Sequence, residues 1–479
     1  MRATRIVCTI GPGTNSEASL RELHDAGMSV ARLNGSHSDL DWHRATIALL
    51  RKVVPDVPIL LDIPGRKIRT CDLAHEPVFA RGDIIVLTTE EGHDGSAKVP
   101  VNRPSLHEEI NADDVVMLDD GTLKFTVVKI SGRDIHCRAE VAGQLKSRKG
   151  VNLPMVRLHG EMVTPRDREM VAFARENEVD YIGISFVTSA DHVAAVRDLC
   201  ADGCPRIVSK VENQGGLDNL DEIVEATDAI MIDRGDLSVE TNLENMALFQ
   251  KRIIEAARIH GKPVIVATEM LHTMIENPFP TKAEVSDITN AVLDGCSAAM
   301  LSGETAVGEF AAESVAVMHR VALAAEMHLQ SHHDAGHGEI RRGEQPISAP
   351  QAIEDAIALI CRSLPITKIV AVTISGYAAR MTAARRPSQP ILAVSNDSMA
   401  ARSFNLFWGT QGVYIDVPFS KISTDHIVIC LEELWRRGKL DDDDQILVTA
   451  VGYPRSGNRM NLLQTHVVRD LQESLGWQR

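Results

Sequence analysis

The chain has 479 residues, 44% of them apolar and 24% charged, with a formal net charge of −16. That length argues two to four domains, and the balance excludes a disordered or fibrous chain. With no basic block to wrap a polyphosphate backbone, no nucleic-acid partner is expected.

No run approaches the ~18 consecutive apolar residues of a membrane span, and MRATRIVCTI lacks the layout of a signal peptide. Cys8, Cys71, Cys137, Cys200, Cys204, Cys296, Cys361 and Cys430 are spread singly, apart from Cys200 and Cys204. No histidine-rich segment completes a zinc site around that pair. These features predict a cytoplasmic globular protein with reduced thiols and no membrane partner.

From residue 5 to about 330, short β-branched runs alternate with amphipathic stretches. The runs are IVCTI from Ile6, SVARL from Ser29, VPILLD from Val57, YIGISF from Tyr181, RIVSK from Arg206, DAIMI from Asp228, PVIVA from Pro263 and AAML from Ala298. Each is apolar almost throughout, as a parallel strand covered on both faces must be. Helical patterns follow most of them; in SEASLRELHDAG, Ser16 is placed to cap the helix and Gly27 to end it. Eight strands alternating with helices predict an α/β fold of the closed (β/α)₈ TIM-barrel kind.

Between Thr70 and Arg157 the helical period vanishes and the runs IIVLT, VVMLD, KFTVVKI and DIHCRAEV take over, with SGRD as a turn. This predicts a small inserted β lid domain at 71–156, interrupting a barrel made of 1–70 and 157–330. HLQSHHDAGHGEIRRGEQP then reads as a solvated linker, 331–347, despite its clustered histidines. The remainder, 348–479, alternates AIEDAIALICRSL, KIVAVT, YAARMTAARR, PILAVS, DHIVICLEELWRRG, QILVTA and a closing strand THVVRD. It predicts a C-terminal α/β domain.

In such a barrel the reactive groups come from the carboxyl ends of different strands. The second run ends in Arg32, with Asn34, Ser36 and His37 beyond; the third in Asp62, then Gly65, Arg66, Lys67 and Arg69. The fifth gives Lys210 and Glu212, the sixth Arg234, Gly235 and Asp236, the seventh Thr268 and Glu269, the eighth Ser302, Gly303 and Glu304. Cations beside two carboxylates on one rim suit an anionic substrate and a hard divalent cation, for which Glu212 and Asp236 are the natural pair. TIGPGTN lacks the lysine and spacing of a P-loop and reads as a tight turn.

These residues lie in motifs that resemble the pyruvate kinase family along nearly the whole chain. IVCTIGP, GMSVARLNGSH, MLDDGTL, KGVNLP, KVENQGGLDNLDEI, RGDLSVE, ATEMLHTMIENPFPTKAEVSD and MLSGETAVGEF occur in that family's order. The resemblance implies a barrel, an inserted lid and a C-terminal α/β domain. It implies phosphoryl transfer from phosphoenolpyruvate to ADP in glycolysis, with Mg²⁺ or Mn²⁺ as cofactor and a homotetrameric assembly. Carried over by residue, Arg32 contacts the phosphoryl group and Lys210 stabilises its charge. Glu212 and Asp236 hold the metal, and the backbone at Gly235 and Asp236 takes the substrate carboxylate. Thr268 binds substrate and serves the proton path, supported by Ser302, while His37, Arg69 and Lys149 face the nucleotide.

Several residues depart from the family pattern. Asn34, Ser36 and Asp62 of a monovalent-cation site remain, but Ile63 replaces its threonine and Lys67 stands where K⁺-users carry glutamate. The ammonium of Lys67 is expected to make K⁺ unnecessary. Arg66 replaces a proline, Asp233 an alanine, Ser238 a glycine, Glu269 a glutamine and Gly35 usually a phenylalanine. Asp233 would repel a substrate carboxylate unless a cation neutralises it, and Arg66 is the expected partner. In the effector loop, Thr373-Ile374-Ser375-Gly376-Tyr377-Ala378 lacks the Lys, Arg and last Ser of fructose-bisphosphate-activated members. Two alternatives stay open: a diverged paralogue doing phosphoryl or enolate chemistry on another small acid, and a non-catalytic regulatory homologue.

Overall fold

The computed structural model describes residues 3–478 except 120, 155, 157–159, 201–202, 332–348, 421 and 452–459. The expected linker therefore lies, apart from Ser331, outside the described residues.

The eight apolar runs form a closed parallel barrel. Its strands are β1 (Arg5–Thr9), β2 (Val30–Asn34), β3 (Ile59–Ile63), β4 (Tyr181–Ile184), β5 (Arg206–Val211), β6 (Ala229–Asp233), β7 (Val264–Ala267) and β8 (Ala298–Leu301). β8 pairs with β1 to close the ring. All but two strand residues, Asn34 and Arg206, are buried, because helices cover the outside and side-chain layers fill the inside. The helix Glu17–Ala26 shows how the connections are built: the Ser16 side chain accepts from the Ser19 N–H, and Leu20 and Leu23 turn into the core.

Strand register sets the site. Parallel pairing brings Thr9 level with Arg32, Asn34 level with Asp62, and Asp62 level with Gly183. On the other side Lys210 pairs with Met231 and Asp233 with Ala267. The polar last residues of several strands thus gather on one rim.

The lid lies between β3 and β4 as a seven-stranded sheet and a two-stranded one, over a separate core that includes Phe79, Phe125, Val127 and Ile135. Leu123–Ser131 and Asp134–Ala139 form its central antiparallel pair, turning at Gly132. Its first strand, Ile68–Arg69, pairs with Gly150–Asn152 and begins ahead of residue 71. Two-residue strands such as Val78–Phe79 and Val99–Pro100 are too short to show a period.

The C-terminal domain has a five-stranded sheet in the order Thr410–Tyr414, Ile391–Ser395, Lys368–Val372, Gln445–Ala450, Leu462–Val467, with only the last strand antiparallel. THVVRD is not a strand throughout. The strand stops at Val467 and Val468–Leu475 is helical, because Val468, Leu471 and Leu475 recur at helical spacing and Val468 docks in the domain core. The eight cysteines are thiols rather than disulfides. No helix among the described residues is long and apolar enough to cross a membrane.

Candidate active site

Lys210, at the end of β5, is the centre of the rim. Its Nζ lies 2.5 Å from Glu212 Oε1, 3.3 Å from Asp233 Oδ2 and 3.6 Å from Asp62 Oδ2. Burial alone would lower its pKa, but Glu212, Asp62 and Asp233 outweigh that and hold the ammonium protonated well above its ordinary value. Glu212 is fully buried and also accepts the Phe186 N–H at 2.7 Å. Its own pKa is raised, first by burial and then by Asp233 and Asp236, with Lys210 opposing.

Arg32 is fixed from both sides. Its Nε and Nη2 donate to Asp62 Oδ2 at 3.0 and 2.7 Å, and Nη1 donates to Thr9 Oγ1 at 3.1 Å. Asp62 can sit so close to β4 only because residue 183 is glycine, where a Cβ would lie 2.0 Å from Asp62 Oδ1. Gly35 makes a similar approach: a Cβ there would lie 2.3 Å from the Asp62 carbonyl oxygen. That contact accounts for the absence of a side chain at 35.

On the far side, the Gly235 N–H donates to Thr268 Oγ1 at 2.8 Å at the start of the helix Arg234–Glu240. Thr268 and Glu269 hold φ of 68° and 55°, a left-handed conformation that is unfavourable for a β-branched residue. Such strain concentrates at functional sites. Arg234 supports the turn, donating to the Thr268 carbonyl at 2.7 Å and pairing with Asp287 at 2.7 Å. Ser302 Oγ is buried with no hydrogen-bond partner among the described residues. The neighbouring Glu304 ties the ends of β7 and β8 together, accepting from the Leu271 and Ser302 N–H groups at 3.0 and 2.7 Å.

Carboxylate oxygens of Glu212, Asp233 and Asp236 lie within 4.8 Å of one another. Ligands on opposite sides of Mg²⁺ stand about 4.2 Å apart, twice a bond of 2.0–2.1 Å. At most one pair of three ligands can stand opposite, and adjacent ones sit about 2.9 Å apart, so the set must draw in by more than an ångström around a hard divalent cation; three carboxylates have the chemistry such an ion takes.

Both halves of this architecture match known families. The profile described as pyruvate kinase, barrel domain, matches residues 1–315, and that described as pyruvate kinase, alpha/beta domain, matches 351–466. The chain belongs to the pyruvate kinase family. It is 36% identical over 481 residues to the pyruvate kinase of Geobacillus stearothermophilus, covering 98% of this chain and 81% of that one. Against the Clostridium perfringens pyruvate kinase it is 36% identical, covering 95% and 97%. A solved pyruvate kinase from Cryptosporidium parvum superposes with a TM-score of 0.86 at 32% identity, covering 98% of this chain and 96% of that one. The chain is accordingly a phosphotransferase with a TIM-barrel catalytic domain, from a family that uses a divalent metal.

Against the family pattern, the structure brings Arg32, Asp62, Lys210, Glu212 and Asp236 into one cluster. Lys67 joins it: Nζ is 2.6 and 2.7 Å from the two oxygens of Asp236 and 5.5 Å from the Phe186 ring centre. Asn34 and Ser36 bond each other, side-chain oxygen to N–H, at 3.1 Å. The three residues expected to face the nucleotide make no hydrogen bond to the cluster among the described residues, although His37 lies within electrostatic range of Arg32 and Arg69. His37 is exposed beyond β2, Arg69 donates to the Arg148 carbonyl at 3.1 Å, and Lys149 pairs with Asp119 at 2.6 Å.

One expectation is corrected. Among the described residues Asp233 pairs with Lys210 and not with Arg66, whose electrostatic neighbours include Arg103, Glu109 and His192. Lys210 takes that role because it ends the neighbouring strand. Burial pushes the Asp233 carboxyl up, but Lys210, Lys67 and Arg32 outweigh it and hold it below the ordinary range. Among the described residues, Ser238 Oγ bonds within its own helix, donating to the Gly235 carbonyl at 2.8 Å.

Sequence reasoning missed the lid joint. Asn152 Nδ2 donates to Glu240 Oε1 at 2.9 Å and reaches Asp236 Oδ1 at 3.4 Å, and the Leu153 N–H also donates to Glu240, at 3.2 Å. Both residues lie inside quoted motifs, KGVNLP and RGDLSVE, but a β-lid residue and a helix glutamate carry no signal that they meet. Thr9 was within reach, since it ends β1.

Proposed function

We propose that this chain is a pyruvate kinase, transferring the phosphoryl group of phosphoenolpyruvate to ADP and protonating the resulting enolate to pyruvate. The observation that carries the reading is the convergence of Arg32, Glu212 and Asp62 on or beside one buried cation, Lys210, at 2.5–3.6 Å for its carboxylate partners. Phosphoryl transfer needs positioning and charge neutralisation more than covalent chemistry.

In this reading Arg32, held by Asp62 and Thr9, presents a fixed guanidinium to the phosphoryl oxygens. Lys210 exchanges carboxylate partners for the moving phosphoryl group and follows its charge between oxygens. Glu212 and Asp236 would hold Mg²⁺ or Mn²⁺, which supplies Lewis-acid charge neutralisation when bound. The Gly235 and Asp236 N–H groups take the substrate carboxylate at the helix start, with Thr268 Oγ1, the present partner of the Gly235 N–H, released to substrate. Thr268 and Ser302 hold the proton path to the enolate carbon. His37, Arg69 and Lys149 turn to the nucleotide phosphates when the lid closes. Cytoplasmic location and a homotetramer belong to the same reading.

Lys67 occupies the place of a monovalent cation by charge: its ammonium on Asp236 supports a K⁺-independent enzyme, with Asn34, Ser36 and Asp62 as the remnant of the K⁺ site. Pyruvate formation from phosphoenolpyruvate, ADP and Mg²⁺ tests both points, run with and without K⁺. Equal rates are expected in the two buffers, and Lys67→Glu should create a partial K⁺ requirement. A parent nearly inactive without K⁺ would sink the second point. A parent inactive in both buffers would sink the first and leave the diverged paralogue, for which Asp233 is the specific motive.

A further inference from the structure

A small cleft with about 20 Å³ of free volume lies where the amino-terminal ends of β7 and β8 meet the C-terminal domain. That is room for a water or two, or for a compact ion of a few atoms, and not for a drug-sized ligand. Arg258, Lys262, Arg380 and Arg386 line it beside Trp408, and no Asp or Glu does among the described residues. In a chain of net charge −16, a wholly cationic lining is the opposite of what the average surface would supply.

The cations come from both domains. Lys262 precedes β7 and donates to the backbone carbonyls of Glu225, at 3.2 Å, and Thr227. Arg380 belongs to the C-terminal helix Tyr377–Ala384 and donates to the carbonyls of His260 and Gly261 at 2.8 and 3.0 Å. Arg386 lies just beyond that helix. Its guanidinium stands 3.7 Å from the Trp408 ring centre and its Nη1 donates to the Val292 carbonyl at 3.0 Å. Its Nε and Nη2 are buried with no hydrogen-bond partner among the described residues. Two buried guanidinium donors without acceptors are costly, and the lone pairs of a carbonyl cannot return the charge that a carboxylate would. Burial lowers the pKa of Lys262 to about 8 and of Arg386 to about 10, with neighbouring arginines adding to both effects.

We propose that this seam is a binding site for a small phosphate-bearing anion, with Arg386 and Lys262 as its principal ligands. A phosphate offers acceptors in the planar spacing that a guanidinium matches. Bound there, it would contact the barrel through Arg258 and Lys262 and the C-terminal domain through Arg380 and Arg386. It would therefore stabilise the docked arrangement of the two domains and couple effector binding to their relative position. The site is separate from the loop Thr373–Ala378 and from the barrel mouth, which lies at the opposite ends of the strands.

The probe is inorganic phosphate added to the full-length protein, against chloride at equal ionic strength. Phosphate should raise the unfolding temperature and change tryptophan emission, and Trp408→Phe should remove the emission change. Arg386→Met should weaken phosphate binding by about tenfold or more, the loss of one charged hydrogen-bond pair. Because Arg386 also bonds Val292, that variant could fail to fold; Lys262→Met, on a half-buried side chain, is the second variant and should weaken binding as well. Arg32→Met, at the mouth, should leave the Trp408 signal unchanged. The proposal is overturned if phosphate gives no Trp408 signal, if both seam variants bind as tightly as the parent, or if Arg32→Met abolishes the response.

Discussion

Asp62 and Asp180 are both buried carboxylates set between two cations, one at each end of the barrel. At the floor, before β4, Asp180 is saturated. Its Oδ2 accepts from Arg51 at 2.7 Å and from the Ile59 N–H at 2.8 Å, and its Oδ1 accepts from Arg402 of the C-terminal domain at 3.1 Å. At the mouth, Asp62 Oδ2 serves Arg32 and Lys210, while Oδ1 is buried with no hydrogen-bond partner among the described residues. The floor is a closed ionic joint between domains. The mouth holds more carboxylates than its cations can fully satisfy, so its partners can be exchanged for those of a ligand. At these two carboxylates, chemistry of one kind serves structure before β4 and leaves an acceptor open at the end of β3.

The largest expected effect lies at the mouth. Glu212→Gln or Asp236→Asn should lower turnover by about a hundredfold or more at saturating Mg²⁺, measured per folded molecule. The amide oxygen introduced by Glu212→Gln can still accept the Phe186 N–H, but its NH₂ then faces the Lys210 ammonium, so a modest fall in unfolding temperature is expected beside the loss of turnover. A variant keeping more than about a tenth of the parent rate would take that residue out of the metal-binding role.

At the floor the sign of the split reverses. Asp180→Ala leaves Arg51 and Arg402 without their shared acceptor and should cost about 3–5 kcal/mol of stability. The rate per folded molecule should stay close to the parent's, as measured by active-site titration below the unfolding transition. If activity per folded molecule fell as far as stability, the two ends would not be separable in the way the hydrogen bonds indicate.

Between them sits the lid joint, where Glu240 is buried and its pKa is raised to about 7, first by burial, while Asn152 and Leu153 donate to it. An acid with a folded pKa above its ordinary 4.5 is penalised when ionised. That penalty is absent below about pH 4.5, grows as pH rises, and is full above about pH 7. Glu240→Gln keeps an acceptor without the charge. It should raise stability at pH 8 by up to about 3 kcal/mol, with the gain shrinking toward pH 5. A gain independent of pH would refute the titration of Glu240.

The barrel was legible because its strands are short, apolar and interrupted by helices of clear period, and because strand polarity says where polar last residues must gather. Arg32, Lys210, Glu212 and Asp236 follow from that rule alone. Contacts between elements far apart in sequence were not legible. The pairing of Asp180 with Arg402 spans 222 residues, and that of Asn152 with Glu240 joins a lid strand to a barrel helix. The partner of Asp233 has the same origin: sequence places Arg66 near the rim, whereas strand order puts Lys210 on the adjacent strand. The last strand is ambiguous in sequence for a different reason. Strand alternation and helical spacing cannot be told apart over a run as short as His466, Val467 and Val468, where one element hands over to the next.

The smallest effect is the one that divides the mouth most finely. Asp233 is paired with Lys210 and stands with Glu212 and Asp236 in the carboxylate cluster. Since Lys67 holds both oxygens of Asp236, the cluster carries an ammonium that a divalent cation must compete with, and Asp233 restores the negative charge that Lys67 cancels. Asp233→Ala should therefore weaken Mn²⁺ binding, read by electron paramagnetic resonance without substrate, by about tenfold. The Michaelis constant for phosphoenolpyruvate should move less than that, because losing a charge that repels the substrate offsets the weaker hold on the metal. Removing Lys67 as well, in Asp233→Ala/Lys67→Gln, should recover part of the lost Mn²⁺ affinity. If Mn²⁺ binding were unchanged and the Michaelis constant fell by one to three decades, Asp233 would be a substrate-repelling charge alone, and its compensation of Lys67 would be wrong.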